Sequence, residues 1–149
     1  MYLEKKVSAR MVAQGHPCSC GAACARQLLL DTQKDVSEAH ILEMLGDDFI
    51  PDEGIHADPL ATVLSRLMDQ RWIGGPLKQL DRFDELLERA PILVMLDRHW
   101  VIVDGHKGGS LLIRDPGGKP GGNGFDCIME RKTFETYWAA GVHRVVFRQ

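Results

Sequence analysis

The sequence lacks long apolar segments. The run Pro91–Leu96 is among its longest, and it is far shorter than the roughly 20 residues that a membrane helix needs. The first ten residues contain no apolar stretch that could serve as a secretion signal. We therefore expect no membrane partner and a cytoplasmic location, in a reducing environment.

An excess of positive charge is also missing. The 18 Lys and Arg residues face 21 Asp and Glu residues, which gives a net charge of −3. A protein that binds nucleic acid through phosphate contacts normally has the opposite balance, so we expect no nucleic-acid partner. The hydrophobic and charged fractions, 44% and 26%, exclude disordered and fibrous classes. With 149 residues and no repeat or linker, residues 1–149 are expected to form a single domain.

Cysteine is scarce, and its distribution is uneven. Three of the four cysteines, Cys18, Cys20 and Cys24, lie within seven residues, and Cys127 stands alone. A small disulfide-stapled domain would spread its cysteines between distant loops. The cluster instead suggests a metal site, a redox pair or a reactive thiol. A disulfide from Cys18 to Cys24 or Cys127 also stays open.

A metal site would use His16 and the three clustered cysteines, with Cys127 or His143 completing the shell. Structural zinc favours two Cys pairs well separated in sequence, and this segment provides no second pair. We therefore expect neither a metal nor another cofactor.

The two halves of the chain differ in periodicity. The first half predicts helices, and the second half predicts short strands separated by turn residues. The predicted helices are Cys20–Asp31, one capped by Ser37 and running to Leu45, Asp58–Trp72, Leu80–Ala90 and Thr133–Ala139. The predicted strands are Ile92–Leu96, Trp100–Val103, Ser110–Arg114, Phe125–Glu130 and His143–Arg148. This order predicts an α+β fold with N-terminal helices packed on a C-terminal antiparallel sheet.

Cys20 is the best candidate for a reactive thiol. It lies at the predicted start of a helix, where free N–H groups and the helix dipole stabilise a thiolate, and Gly21 would let a substrate approach the backbone. His99 begins a predicted strand and Asp115 follows the next one, so a hairpin can place an imidazole and its orienting carboxylate side by side. Gln14, six residues before Cys20, could donate a hydrogen bond to a developing oxyanion.

These residues together resemble a known family. The pattern Gln-x5-Cys-Gly-x2-Cys, a later His followed by aliphatic residues, and then Asp-Pro, is similar to the bacteriocin-processing cysteine peptidases. These are papain-like domains that cut leader peptides after a double glycine. The resemblance implies that Cys20 is the nucleophile, that His99 and Asp115 complete a triad, and that Gln14 supplies the oxyanion hole. It also implies a peptide or protein substrate.

One departure concerns the surroundings of the domain. Domains of that family are usually fused to a membrane transporter, and these 149 residues contain none. Related papain-like domains occur as toxic modules in bacterial competition, each neutralised by an immunity protein. This favours an antagonistic toxin that cleaves a protein. Leader processing, glutamine deamidation or transglutamination with the same triad, and a catalytically silent binding module are the alternatives.

Several residues compete for the proposed roles. Cys18 is the rival nucleophile, whereas Cys24, one helical turn beyond Cys20, is expected to pack in the core. The Asp-Pro-Gly-Gly segment that begins at Asp115 could be only a tight turn, and Trp100 could shield the catalytic pair or pack in the core. The rival bases are His106 and His16, and the rival carboxylates are Asp104 and Asp97.

Overall fold

Nine strands and five helices make up the protein in a computed structural model that describes all 149 residues. The strands are β1 Glu4–Val12, β2 Phe49–Ile50, β3 Gly54–Ile55, β4 Trp72–Pro76, β5 Ile92–Leu96, β6 His99–Lys107, β7 Ser110–Asp115, β8 Asn123–Glu130 and β9 Arg144–Arg148. The helices are α1 Cys20–Asp31, α2 Glu38–Leu45, α3 Ala57–Met68, α4 Arg82–Arg89 and α5 Arg131–Ala140. Seven of the strands form one antiparallel sheet in the order β1-β8-β7-β6-β5-β9-β4, and β2 and β3 form a separate hairpin.

Helices cover both faces of the sheet. On one face, α1, α2 and α3 pack against a core that includes Trp100 and Ile102 of β6. On the other face, α4 and α5 pack against a second core that includes Val101 and Val103 of the same strand. Successive residues of a strand point to opposite faces, so β6 contributes to both cores in alternation. The α+β fold with helices on an antiparallel sheet is confirmed.

The helix positions follow the sequence signals closely. The helix Cys20–Asp31 has the predicted bounds. Ser37 caps α2, because its side chain accepts a hydrogen bond from the backbone N–H of His40 at 3.0 Å. The cap of α3 is His56, and Asp58 lies in the first turn. None of the helices has the length and apolar character needed to cross a membrane.

Two strands of the sheet come from the first half of the chain, where only helices were predicted. β1 is an edge strand in which only Ser8 and Met11 are buried, so it lacks the alternation that marks a strand. The helix predicted to reach Trp72 ends at Met68, and Trp72 begins β4. β4 pairs with β9, and Gly74 lies so close to the carbonyl of Ala57 that a side chain would clash. Gly74 therefore permits close packing of α3 on β4.

Candidate active site

Cys20 is the first residue of α1, and its side chain faces the interior. The residue is 6% exposed. Its Sγ accepts a hydrogen bond from the backbone N–H of Trp100 at 3.3 Å. The thiol therefore lies at the N-terminus of a helix, within reach of a backbone donor from the neighbouring strand β6.

His99 and Asp115 meet at one end of the sheet. His99 is the first residue of β6 and Asp115 is the last residue of β7, and the two strands are antiparallel neighbours. The distance from Nε2 of His99 to Oδ1 of Asp115 is 2.6 Å. Oδ1 also accepts from the backbone N–H of Gly117 at 2.8 Å, within the Asp-Pro-Gly-Gly turn. The turn thus holds the carboxylate as well as reversing the chain.

The protonation states of this pair follow from their contacts. Burial disfavours the imidazolium of His99, but the hydrogen bonds to Asp115 and to Cys20, with their charges, outweigh it and raise the pKa of His99 to about 10. Burial likewise disfavours the charged form of Asp115, but the hydrogen bond and positive charge of His99 hold the pKa of that carboxyl below its usual range. Near neutral pH the pair is therefore an imidazolium and a carboxylate.

Cys20 and His99 come from different layers of the fold. Cys20 belongs to the core formed by α1–α3. His99 is in phase with Val101 of β6, and Asp115 with Ile113 of β7, so both lie on the face of the sheet that carries the second core, opposite to Cys20. The Cys20 thiol is close enough to the His99 ring, at the end of the sheet, to contribute to the raised pKa of His99. Because Asp115 engages Nε2, Nδ1 is the ring nitrogen available to the thiol.

Gln14 lies beside this site but is engaged elsewhere. Its Nε2 donates to the carbonyls of His16 and Pro17 at 2.9 and 3.0 Å, and its Oε1 is buried without a hydrogen-bond partner. An oxyanion role therefore requires the amide to turn away from these two carbonyls. Gln14 nevertheless lines a cleft of about 340 Å³ together with His16, Pro17, His99, Gly117, Gly118 and Pro120.

The role predicted for Gly21 is wrong. Gly21 is buried, and a Cβ there would lie 3.0 Å from the ring of Trp100 and 3.2 Å from Leu60. Its position lets α1 pack closely on the sheet rather than letting a substrate approach the chain. The Trp100 ring is fully buried and donates its indole N–H to the carbonyl of Ile55, so it packs in the core.

The rival residues are engaged in other contacts. Asp104 forms an ion pair with Arg114, and His106 contacts Asp84. Cys24 is fully buried in the core, as predicted, and burial raises its pKa well above the ordinary value. All four cysteines are free thiols, so neither proposed disulfide forms. The structure contains no group of three or more His, Cys, Asp or Glu side chains arranged to hold a metal ion.

Sequence reasoning missed two contacts at this site. The backbone N–H of Trp100 is one, and no side-chain pattern reports a backbone donor. The second is Tyr2, whose hydroxyl donates to Oδ2 of Asp115 at 2.5 Å from 113 positions away in the chain. Tyr2 precedes β1, and because that strand was not predicted, nothing in the sequence indicated that Tyr2 lies near Asp115.

The fold and the site can be compared with known proteins. The family model for the Peptidase C39 family matches residues 8–146. Among curated proteins no significant match was found.

Solved structures give the same assignment of fold. A double glycine motif protease from an AMS/PCAT transporter, in complex with the leader peptide, shares 18% identity at a TM-score of 0.71, over 96% of this chain and 91% of the other. A C39-like peptidase from Bacillus anthracis shares 14% identity at 0.75, over 98% of both chains. The peptidase domain of Streptococcus ComA, a bifunctional ABC transporter in quorum sensing, shares 18% identity at 0.70, over 93% and 96%. The chain therefore belongs to the Peptidase C39 family and is a cysteine peptidase with a papain-like fold.

Proposed function

We propose that the protein hydrolyses a peptide bond through a Cys20–His99–Asp115 triad, with residues 1–149 acting as one peptidase domain. The observation that carries the proposal is the double engagement of His99. Its ring is close enough to the thiol of Cys20 for that thiol to contribute to its raised pKa, and its Nε2 lies 2.6 Å from Oδ1 of Asp115. A nucleophile, a base and an orienting group in this order are what covalent acyl transfer requires.

The mechanism follows from these contacts. The Cys20 thiolate attacks the substrate carbonyl while His99, held by Asp115, carries the proton. The backbone N–H of Cys20 and the amide of Gln14, once it has turned from the His16 and Pro17 carbonyls, stabilise the oxyanion. His99 then protonates the leaving amine, and the acyl-enzyme is released by water.

A leader-type peptide with a double glycine is the proposed substrate. Support comes from the solved structure of a double glycine motif protease bound to a leader peptide, which has the same fold. The cleft beside His99, which Gln14 and the backbone of Gly117 and Gly118 also line, is where such a peptide would bind. We therefore expect cleavage directly after Gly-Gly.

The test uses paired peptides that differ only at the two glycines. Wild-type protein should cleave the Gly-Gly peptide and leave a Val-Val version intact, as measured by mass spectrometry. Cys20→Ala should lower the cleavage rate by several orders of magnitude. Cys18→Ala, at a half-buried cysteine two residues away, should retain the wild-type rate. Full activity of Cys20→Ala would overturn the proposal.

The antagonistic role, with a dedicated immunity partner, stays a prediction. Growth arrest of bacteria that express the wild-type chain, absent with Cys20→Ala, is the result expected of a toxin. The product distinguishes deamidation and transglutamination from peptide-bond hydrolysis. Deamidation, for example, converts Gln to Glu without creating a new terminus.

A further inference from the structure

The two oxygens of the Asp115 carboxylate have different partners. Oδ1 accepts from Nε2 of His99 at 2.6 Å and from the backbone N–H of Gly117 at 2.8 Å. Oδ2 has one donor, the hydroxyl of Tyr2 at 2.5 Å. His99 and Gly117 thus hold one end of the carboxylate, and Tyr2 holds the other.

Tyr2 is itself held in place. The backbone N–H of Leu3, the next residue, donates to the carbonyl of Ile128 in β8 at 2.7 Å. Glu4 then pairs with the same Ile128 as β1 begins. The Tyr2 ring packs against the core beneath α4 and α5, on the face of the sheet that carries Asp115. The start of the edge strand β1 therefore holds the Tyr2 hydroxyl in a fixed position.

We propose that Tyr2 is a positioning residue of the active site, whose hydroxyl fixes the plane of the Asp115 carboxylate so that Oδ1 stays aimed at His99. The proposal rests on the triad proposed above. A carboxylate gripped at Oδ1 alone can rotate about its Cβ–Cγ bond, and such rotation would break the alignment with Nε2. A donor on Oδ2 removes that freedom and stabilises the charged form.

The groups around Tyr2 keep its hydroxyl protonated, so that it remains a hydrogen-bond donor. Burial, and then the negative charge of Asp115, raise the pKa of Tyr2, so its phenol stays protonated. The Tyr2 hydrogen bond in turn helps to lower the pKa of Asp115, after the larger effect of His99. The titratable groups that interact with Asp115 by hydrogen bonds or charge are His99 of β6, Cys127 of β8, Cys24 of α1, and Tyr2.

The test compares Tyr2→Phe with Tyr137→Phe, because these are the only two tyrosines of the chain and both line the small cavity behind His99. The readout is the rate of iodoacetamide alkylation at Cys20 against pH, resolved by peptide mapping. This assay needs no substrate. Tyr2→Phe should shift the acid limb of the profile upward by about one pH unit. The pKa of Asp115 rises when it loses a charge-assisted donor, and a protonated Asp115 no longer holds the His99 imidazolium that supports the reactive thiol.

On a cleaved peptide, Tyr2→Phe should lower kcat about tenfold and leave KM unchanged, since Tyr2 acts through Asp115 and does not touch substrate. Tyr137→Phe should match wild type in both assays. An unshifted acid limb in Tyr2→Phe, or an equal shift in Tyr137→Phe, would overturn the inference. Failure of wild-type Cys20 to react faster than the other thiols would instead contradict the proposed function.

A spectroscopic measurement covers the case in which Tyr2→Phe folds poorly. In the Tyr137→Phe protein, 3-fluorotyrosine enters only at position 2, and its ¹⁹F resonance reports on the hydroxyl's partner. Because the phenol itself stays protonated, the resonance should titrate with the midpoint of the alkylation acid limb. A resonance that does not move across that midpoint overturns the inference.

Discussion

Replacing Arg114 by Met should be among the most damaging single changes in the protein. Its side chain is 3% exposed, yet its guanidinium is fully hydrogen-bonded. Nε and Nη2 contact both carboxylate oxygens of Asp104 at 2.8 Å each. Nη1 and Nη2 contact both oxygens of Asp31 at 3.2 and 2.9 Å, and Nη1 also donates to the carbonyl of Arg10 at 3.0 Å. Arg114 thus ties the end of α1 to three strands.

The expected cost follows from what the substitution leaves behind. Met removes the cation and leaves the two carboxylates of Asp31 and Asp104 without a positive charge, although Asp31 keeps a hydrogen bond from Gln27 at 2.9 Å. Breaking a buried ion pair in this way costs about 3–5 kcal/mol. That is a large fraction of the roughly 5–15 kcal/mol that holds an ordinary domain folded. The free energy of unfolding is measured by urea denaturation, and the m values of the two proteins should be equal for the comparison to be valid.

Arg10→Gln is the matched control. Arg10 forms an ion pair with Asp126, but its side chain is 63% exposed, so the loss should be about 0–1 kcal/mol. The backbone carbonyl that Arg114 uses is retained in this variant. A cost for Arg114→Met below about 1 kcal/mol, or no greater than that of Arg10→Gln, would refute the reasoning. The alkylation rate of Cys20 should also fall in Arg114→Met, because α1 loses an anchor.

Two further predictions concern the site and its support. Because the pKa of His99 is raised from 6.5 to about 10 by folding, the stability that His99 contributes is complete below pH 6.5 and is lost as the pH rises through 10. The difference in free energy of unfolding between wild type and His99→Gln should shrink over this interval, and a constant difference would contradict the ion pair. Gly21→Ala should cost about 1–3 kcal/mol, because its Cβ meets the Trp100 ring at 3.0 Å. Gly109→Ala, with no atom within 4 Å of the new Cβ, should leave the free energy of unfolding almost unchanged in the same urea denaturation. Equal costs for the two variants would count against this packing argument.

Local signals were sufficient for most of the helices and the central strands. The start of α1 at Cys20 and the cap at Ser37 rest on residues next to each other in the chain, and both were predicted. The neighbourhood of His99 and Asp115 could be predicted because a hairpin joins their strands. Their contact depends only on two strands that follow each other in the chain, which is why the sequence pattern could indicate it.

Long-range contacts were beyond sequence reasoning. β1 pairs with β8, more than 110 residues away, and its buried positions do not alternate, so neither the strand nor the approach of Tyr2 to Asp115 could be predicted. Gly21 was misread for a related reason, since a glycine's neighbour on the opposite layer cannot be identified before the layers are known. The hydrogen bonds that turn Gln14 inward depend on the conformation of its loop.

The division of the proposed triad between two layers has a consequence for local unfolding. Cys20 moves with α1, whereas His99 and Asp115 move with the sheet and the α4–α5 side. An opening that detaches α1 alone would separate thiol from imidazole while the second core stays intact. Enzyme activity is then governed by the free energy of this partial opening and not by that of global unfolding. Amide hydrogen exchange in α1 should therefore follow loss of activity more closely than exchange in α5 does.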